Sequence, residues 1–500
     1  MGQRLEALNE HLTRVIDLRR ATSVLDWDQE VYMPEEGAVP RSQAQATLTT
    51  MAHEIFTSDT TRSLLEAAEA EVADLDFDSD EASTVRVVRR NFDQETKLPT
   101  AFVTRESKAI SRSFMAWRKA READNFSTFE PHLREVVELQ VEKASYLGYT
   151  DHPYDALLQQ FEPGMTTAQV ETLFSDLKAG LVPLVKEIAA CPGVDDSFLS
   201  LAYDTQKQWD FTLLLLRGIG YDFRRGRQDR AAHPFTTQFG NTDVRVTTRT
   251  HETMPQSAIF STVHEGGHAL YELGSPDKFE RTLLAGGSTL GLHESQSRLW
   301  ENQVARSLPF WHYYYPILQA FFPQQLGNVS MTTFHRAINK VEPSLIRVEA
   351  DEVTYNLHIF VRFELEKSLL TGELKVSEVP EAWNARYEEY LGITPPSDAD
   401  GCLQDVHWSH GILGYFPTYT LGNLMSAQIY ARALQEIPGL EEGYSRGECA
   451  PLLNWLREHI HKHGSKFTGP ELMQREFGTQ ISAQPLLAYL RAKYSELYDL

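Results

Sequence analysis

Apolar residues recur every three to four positions along most of this chain, and that period suits helices far better than strands. Leu5, Leu8, Leu12, Val15 and Ile16 form one stripe, and Leu133, Val136, Val137, Val141 and Ala144 form another. The segments 168–190, 255–273, 289–306, 334–346, 353–371 and 451–463 read as helices on the same ground. The acidic stretch from Glu66 to Glu81 begins as a helix and ends as an Asp-rich loop. No internal repeat or low-complexity linker breaks the pattern. An all-α architecture is predicted: one unit over 1–500, with an N-terminal helical lobe over about 1–200 and a larger lobe over about 201–500.

One segment departs from the helical period. Phe235 to Phe239 and Asp243 to Arg249 flank Gly240-Asn241, which predicts one small β-hairpin. Val244 and Val246 alternate with Asp243, Arg245 and Thr247, so a strand's period of two puts those three polar side chains on one face. That face is either a solvent-exposed edge or the wall of a site. Its place just upstream of the motif below favours the wall.

Charge and cysteine content narrow the partners. The 500 residues include 70 acidic and 47 basic ones, a formal charge of −23. Such a surface repels nucleic acid and anionic membranes. Three widely spaced cysteines, Cys191, Cys402 and Cys449, argue against a disulfide framework and for a reducing compartment. The N-terminal residues carry no apolar stretch of signal-peptide length, and the densest apolar run, Phe211 to Leu216, is too short for a bilayer. A soluble, cytoplasmic protein is expected. The aromatic stretch Phe310 to Tyr315 is read as core rather than as a subunit surface.

The chemistry is carried by His264-Glu265-Gly266-Gly267-His268, a His-Glu-x-x-His sequence. Pro255 suits a first helical turn, Ile259, Phe260, Val263, Leu270 and Tyr271 supply apolar faces, and Gly274 and Pro276 supply a stop. On that helix positions i and i+4 lie one above the other, so His264 and His268 can grip one metal ion. Glu265 lies about 100° further round, beside the ion, where a general base belongs. Gly266 and Gly267 each cost the helix about 1 kcal/mol relative to alanine. Their bareness lets either a substrate backbone or another helix come close. Zinc would activate a water nucleophile near neutral pH. Cobalt fits the same ligands.

A catalytic zinc usually takes three protein ligands. A helix opened by Ser288-Thr289 offers Glu294 as the third, with His293 as its rival. Glu301, two turns on, or Asp243 is available to orient an imidazole. Other clusters look chemical too: His233-Pro234-Phe235, Ile346-Arg347-Val348-Glu349-Ala350-Asp351, Gly401 to His410, and Gly414 to Tyr419. An arginine can hold a substrate carboxylate by two hydrogen bonds, and His or Tyr can donate to an oxyanion.

His-Pro-Phe, Asp-x-Arg-x-Thr, His-Glu-x-x-His, Ile-Arg-x-x-Ala-Asp and Gly-x-x-Gln-Asp-x-His-Trp occur in that order across the chain. The set resembles the thermostable metallocarboxypeptidases, the Taq carboxypeptidase family, and the likeness spans essentially the whole length. It implies a predominantly helical fold with a long groove over the metal, like neurolysin and angiotensin-converting enzyme. It also implies a homodimer that takes single C-terminal residues from peptides with broad preference and cleaves poorly near proline. By the motif matches the metal ligands are His264, His268 and Glu294, one zinc per chain, and the base is Glu265. Asp243, Arg245 and Thr247 line the groove, and Gln404, Asp405 and His407 match the last motif, with His233 in the first. Arg347 is assigned to the substrate carboxylate, with Arg245 second. His407 and Tyr415 are the candidate oxyanion donors, ahead of His410. Many related zinc peptidases place Asp four residues after the third ligand, where this chain has Arg298. An oligoendopeptidase or a dipeptidyl carboxypeptidase of the same architecture would share the metal site, and an inactive peptide-binding scaffold would lack the intact base.

Overall fold

The computed structural model describes residues 2–500. Helices carry almost all of the regular structure, with one three-stranded sheet among the described residues. The chain divides into two compact units, each built from three separate segments. One comprises the residues up to Glu95, Asp195–Ile338 and Ile429–Thr479; the other comprises Thr96–Val194, Asn339–Gln428 and Gln480–Leu500. The contiguous lobes expected on either side of residue 200 therefore do not match the grouping of contacts. No change in composition marks the points where the chain leaves a unit and returns, which is why the sequence does not signal them.

In the first unit the N-terminal stripe behaves as predicted. Leu5, Leu8, Leu12 and Val15 of helix Gln3–Val31 are buried against Phe56, Leu65, Ala68, Val72, Val88 and Phe92. Each such side chain contributes about 1.5–3 kcal/mol by leaving water. Helix Thr205–Ile219 starts where the Asp204 carboxylate accepts the Lys207 N–H at 2.8 Å and stops at Gly220. It packs against helix Pro255–Leu273, which carries the His-Glu-x-x-His motif.

The predicted hairpin is present. Strand β2 (Thr236–Gln238) runs antiparallel to β3 (Val244–Thr248), with Thr236 opposite Val246. A third strand, β1 (Gln228–Arg230), pairs parallel to the other side of β3, so β3 is central and not an edge. Val244 and Val246 are buried, and the sheet packs on the motif helix. Helix 334–346 is shorter than predicted: it spans Met331–Ile338. Pro343 disfavours helical backbone in the residue before it, and the sequence reading ran through it. The aromatic stretch is core, as expected: Phe310, Trp311, Tyr314 and Tyr315 are all buried, although Tyr313 is exposed.

The second unit is organised around helix Tyr355–Thr371, which is buried on nearly every side. Helices Glu130–Leu147 and Thr167–Ala189 pack against it, the latter opened by a reciprocal cap between Thr166 and Gln169. Among the described residues no helix is long and apolar enough to cross a membrane, and no cysteine is disulfide-bonded.

Candidate metal centre and active site

Helix Pro255–Leu273 places Nε2 of His264 and Nε2 of His268 on one side, as the four-residue spacing requires. Thr289 caps the next helix, Leu290–Arg298, by accepting the Leu292 N–H at 3.2 Å. Its Glu294 turns Oε2 to within 3.5 Å of the His264 Nε2 and 3.4 Å of the His268 Nε2. Among the described residues these three form the group that could hold a metal ion, with donor atoms all within 4.8 Å of one another. The glycines explain the approach. A Cβ on Gly267 would lie 2.6 Å from the Ser297 Cα and 2.8 Å from the Gln296 carbonyl, so its bareness lets the third-ligand helix close in.

The remaining atoms of the ligands are tied down. The His264 Nδ1 lies 2.9 Å from the Glu301 Oε2, in the π-helical stretch Leu299–Ala305 that continues the third-ligand helix. A carboxylate there accepts the Nδ1 proton and leaves Nε2 with a lone pair for the ion. His268 is held by a longer chain. Its Nδ1 meets the Nδ1 of His293, whose Nε2 lies 2.6 Å from the Glu272 Oε1. Glu272 accepts from His293, His293 accepts from His268, and the His268 Nε2 again keeps its lone pair. His293, the rival candidate, lies between His268 and Glu272 and outside the group of three. Arg298 replaces the expected Asp by gripping the third ligand itself: its Nε donates to the Glu294 Oε1 at 2.7 Å. Of the two proposed orienting residues, Glu301 serves and Asp243 does not.

Electrostatics follow from this wiring. Burial disfavours the Glu294 carboxylate, yet the Arg298 guanidinium beside it outweighs that and holds its pKa well below the ordinary range. Glu301 is likewise buried, and Arg298, His264 and Arg306 bring it down to about 2. Burial takes His268 down to about 3, so its ring is neutral, the form that binds metal. Glu265 moves the other way: burial raises its pKa, which suits a base that must pick up and release a proton.

Glu265 is placed by the hairpin. The Thr236 hydroxyl of β2 lies 2.7 Å from the Glu265 Oε2 and 2.9 Å from its backbone carbonyl. The sequence reading passed over Thr236 and Glu272. Glu272 was legible as the i+4 neighbour of His268, whereas Thr236 carries no local signal. The three residues assigned to the groove wall are largely occupied with each other or with backbone. Arg245 is bidentate to Asp243, at 2.9 and 2.8 Å, and stacks on Trp27 and Phe239. The Thr247 hydroxyl bonds the backbone of Phe235, and His233 is exposed.

The second unit gathers the other motifs. Arg347, 5% exposed, is bound to the Asp405 Oδ1 through Nη2 at 2.8 Å and to the Tyr355 hydroxyl at 2.9 Å. Arg362 holds the other Asp405 oxygen at 2.7 Å. Two guanidiniums thus share one carboxylate, and the Asp405 pKa falls far below its usual range. Gln404 works as a staple: its Oε1 accepts the Arg347 N–H and its Nε2 donates to the Leu345 carbonyl. His407 lies between Asp405 and the rings of Tyr415 and Phe416. Burial brings it down to about 4, so it is neutral. His410 stacks on Phe114 instead.

Residues 7–494 match the family described as Carboxypeptidase Taq (M32) metallopeptidase. The chain belongs to this family. This M32 carboxypeptidase is 44% identical over 482 residues to thermostable carboxypeptidase 1 of Thermus thermophilus, covering 94% of each chain. It is 39% identical over 490 residues to carboxypeptidase 1 of Bacillus subtilis, covering 98% of this chain and 97% of that one. Its fold is similar to the crystal structure of the M32 carboxypeptidase from Deinococcus radiodurans R1, with a TM-score of 0.97, 42% identity and full coverage of both chains. A metallopeptidase family implies a metal ion. The residues fit one: three convergent donors, with both imidazoles oriented from behind.

Proposed function

We propose that this M32 enzyme is a zinc-dependent carboxypeptidase that removes one C-terminal residue at a time, with Glu265 as general base and cobalt as an acceptable substitute. The observation that carries the reading is the convergence of the His264 Nε2, His268 Nε2 and Glu294 Oε2 on one point, with the Glu265 carboxylate held next door by Thr236. A zinc ion held by these three residues would supply Lewis-acid chemistry and an activated water near neutral pH. Glu265 is the residue that accepts a proton from the attacking water at its carboxylate and hands it to the leaving amine. His407 and Tyr415 donate hydrogen bonds to the developing oxyanion, and the neutral state of His407 leaves it an N–H to give.

Arg347 is the proposed anchor for the substrate carboxylate. Arg347, Arg362 and Asp405 together bear one positive charge beyond what the carboxylate cancels, and a guanidinium presents five donors. Arg245, already bidentate to Asp243, ranks second. The substrates are peptides with a free C-terminus, the enzyme acts in the cytoplasm, and it works as a homodimer.

Mass spectrometry of products from zinc-loaded enzyme and an unblocked peptide of about ten residues tests the reading. A ladder losing one C-terminal residue per step supports it; dipeptide steps or internal cuts move the anchor and reject it. The substitution Glu265→Gln should lower kcat by roughly 100- to 10,000-fold while leaving bound metal unchanged. Arg347→Ala should damage hydrolysis of free-acid peptides far more than of amidated ones. Equal damage to both removes Arg347 from the anchor.

A further inference from the structure

The second unit holds a buried carboxylate that the chemistry above does not use. Glu366, on the central helix Tyr355–Thr371, has no exposed surface. Its Oε1 accepts the Trp408 indole N–H at 2.8 Å. Its Oε2 accepts the Tyr154 hydroxyl at 2.8 Å and the backbone N–H of Gly414 at 3.1 Å. The partners matter more than their number. Trp408 follows His407 in the chain, and Gly414 precedes Tyr415. One side chain thus ties down both ends of the short segment whose flanks are the two proposed oxyanion donors.

The C-terminal end of that segment is placed tightly. Gly414 has φ +91°, and a Cβ there would lie 2.8 Å from the Leu157 carbonyl carbon and the Leu158 nitrogen. Only glycine lets the backbone press against the helix that carries Tyr154 and turn its N–H inward. Burying a carboxylate is expensive unless its lone pairs are met. A hydrophobic residue would fill the space without that cost but would bind neither the indole N–H nor the Gly414 N–H.

We infer that Glu366 is a positioning residue: through Trp408 and Gly414 it fixes His407 and Tyr415 in the geometry that oxyanion stabilisation requires. The inference rests on the reading of His407 and Tyr415 as donors, and its test separates the two. Glu366→Gln keeps the shape but offers one acceptor oxygen. Whichever way the amide turns, its NH₂ faces an N–H donor, Trp408 on one side or Gly414 on the other. Displacing reacting groups by as little as 1 Å can reduce rate about 100-fold. The variant should therefore lose roughly ten- to 100-fold in kcat with KM changed by less than about two-fold, since substrate binding is untouched. The ¹⁹F resonance of 5-fluorotryptophan at position 408, assigned with Trp408→Phe, should move. In His407→Ala or Tyr415→Phe backgrounds Glu366→Gln should cost less than about two-fold more, because residues acting as a unit are not additive.

An unmoved ¹⁹F resonance, or the same fold-loss in every background, overturns the inference. Wild-type kcat in both His407→Ala and Tyr415→Phe overturns the reading of the donors, and the inference with it, without involving Glu366. If Glu366→Gln does not fold, Trp408→Phe removes one donor alone and should lower kcat with little effect on KM. An unchanged kcat in that folded variant overturns the inference.

Discussion

His268 stands one hydrogen bond from His293 and two from Glu272, and that chain fixes which of its nitrogens faces the ion. Breaking it at His293 leaves all three ligands in place but frees the ring to turn and to swap tautomers. His293→Phe should weaken zinc binding by roughly ten- to 100-fold, measured by competition with a chromogenic chelator. Glu265→Gln, assayed beside it, should bind zinc as the wild type does. Equal affinity in both variants would mean that the chain orients nothing. At this scale the convergence of the proposed ligands was legible and their supports only in part. The spacing of His264 and His268 states their shared direction outright. His293 and Glu294 are neighbours on one helix; the sequence favours the carboxylate, and in the fold Arg298 grips Glu294 while His293 lies between His268 and Glu272. The partnership of Arg347 with Asp405 was invisible for a plainer reason. Their 58-residue separation brings them together only in the folded unit.

Two helices meet at Gly267, and the neighbouring Gly266 makes the comparison. A Cβ on Gly267 strikes backbone, the Ser297 Cα at 2.6 Å, which moves only if the third-ligand helix moves. A Cβ on Gly266 meets the ends of Ile219 and Leu216 at 2.7 and 2.9 Å, and such side chains can swing aside. Alanine also gains about 1 kcal/mol in helix propensity at either site. Gly266→Ala should accordingly keep its melting temperature within a few degrees of wild type. Gly267→Ala should lose about 1–3 kcal/mol to overpacking and bind zinc more weakly, because Glu294 is displaced. Calorimetry of both variants, with and without zinc, checks this; matching melts would mean that the contact is soft. Helices were the legible elements because their period repeats over many residues, as in Thr205–Ile219 and Thr167–Ala189. Strand β1 was missed because Gln228-Asp229-Arg230 has no apolar alternation; it is a strand only because β3 lies beside it.

Across the whole molecule, buried carboxyls are pushed in opposite directions, and each direction sets its own dependence of stability on pH. Glu301 is held at about 2 against an ordinary 4.5, so the stability it contributes is present above about pH 4.5 and lost as pH falls toward 2. Glu366 is raised to about 7 by burial; its three donors and Arg362, one helical turn away, offset this only in part. Its folded state binds the proton more tightly than the unfolded chain does. The contribution of Glu366 is therefore complete below about pH 4.5 and lost as pH rises through 7, by about 3 kcal/mol. Glutamine titrates at neither position. In metal-free protein, the stability deficit of Glu366→Gln relative to wild type should shrink by about 3 kcal/mol between pH 5 and pH 8. The deficit of Glu301→Gln should instead shrink as pH falls from 4.5 toward 2, where Glu301 becomes protonated in the wild type as well. Urea melts of the three proteins at several pH values read these differences directly. A deficit for Glu366→Gln that stays level from pH 5 to pH 8 would mean that the buried carboxyl is ionised throughout, with its three donors and Arg362 fully offsetting its desolvation.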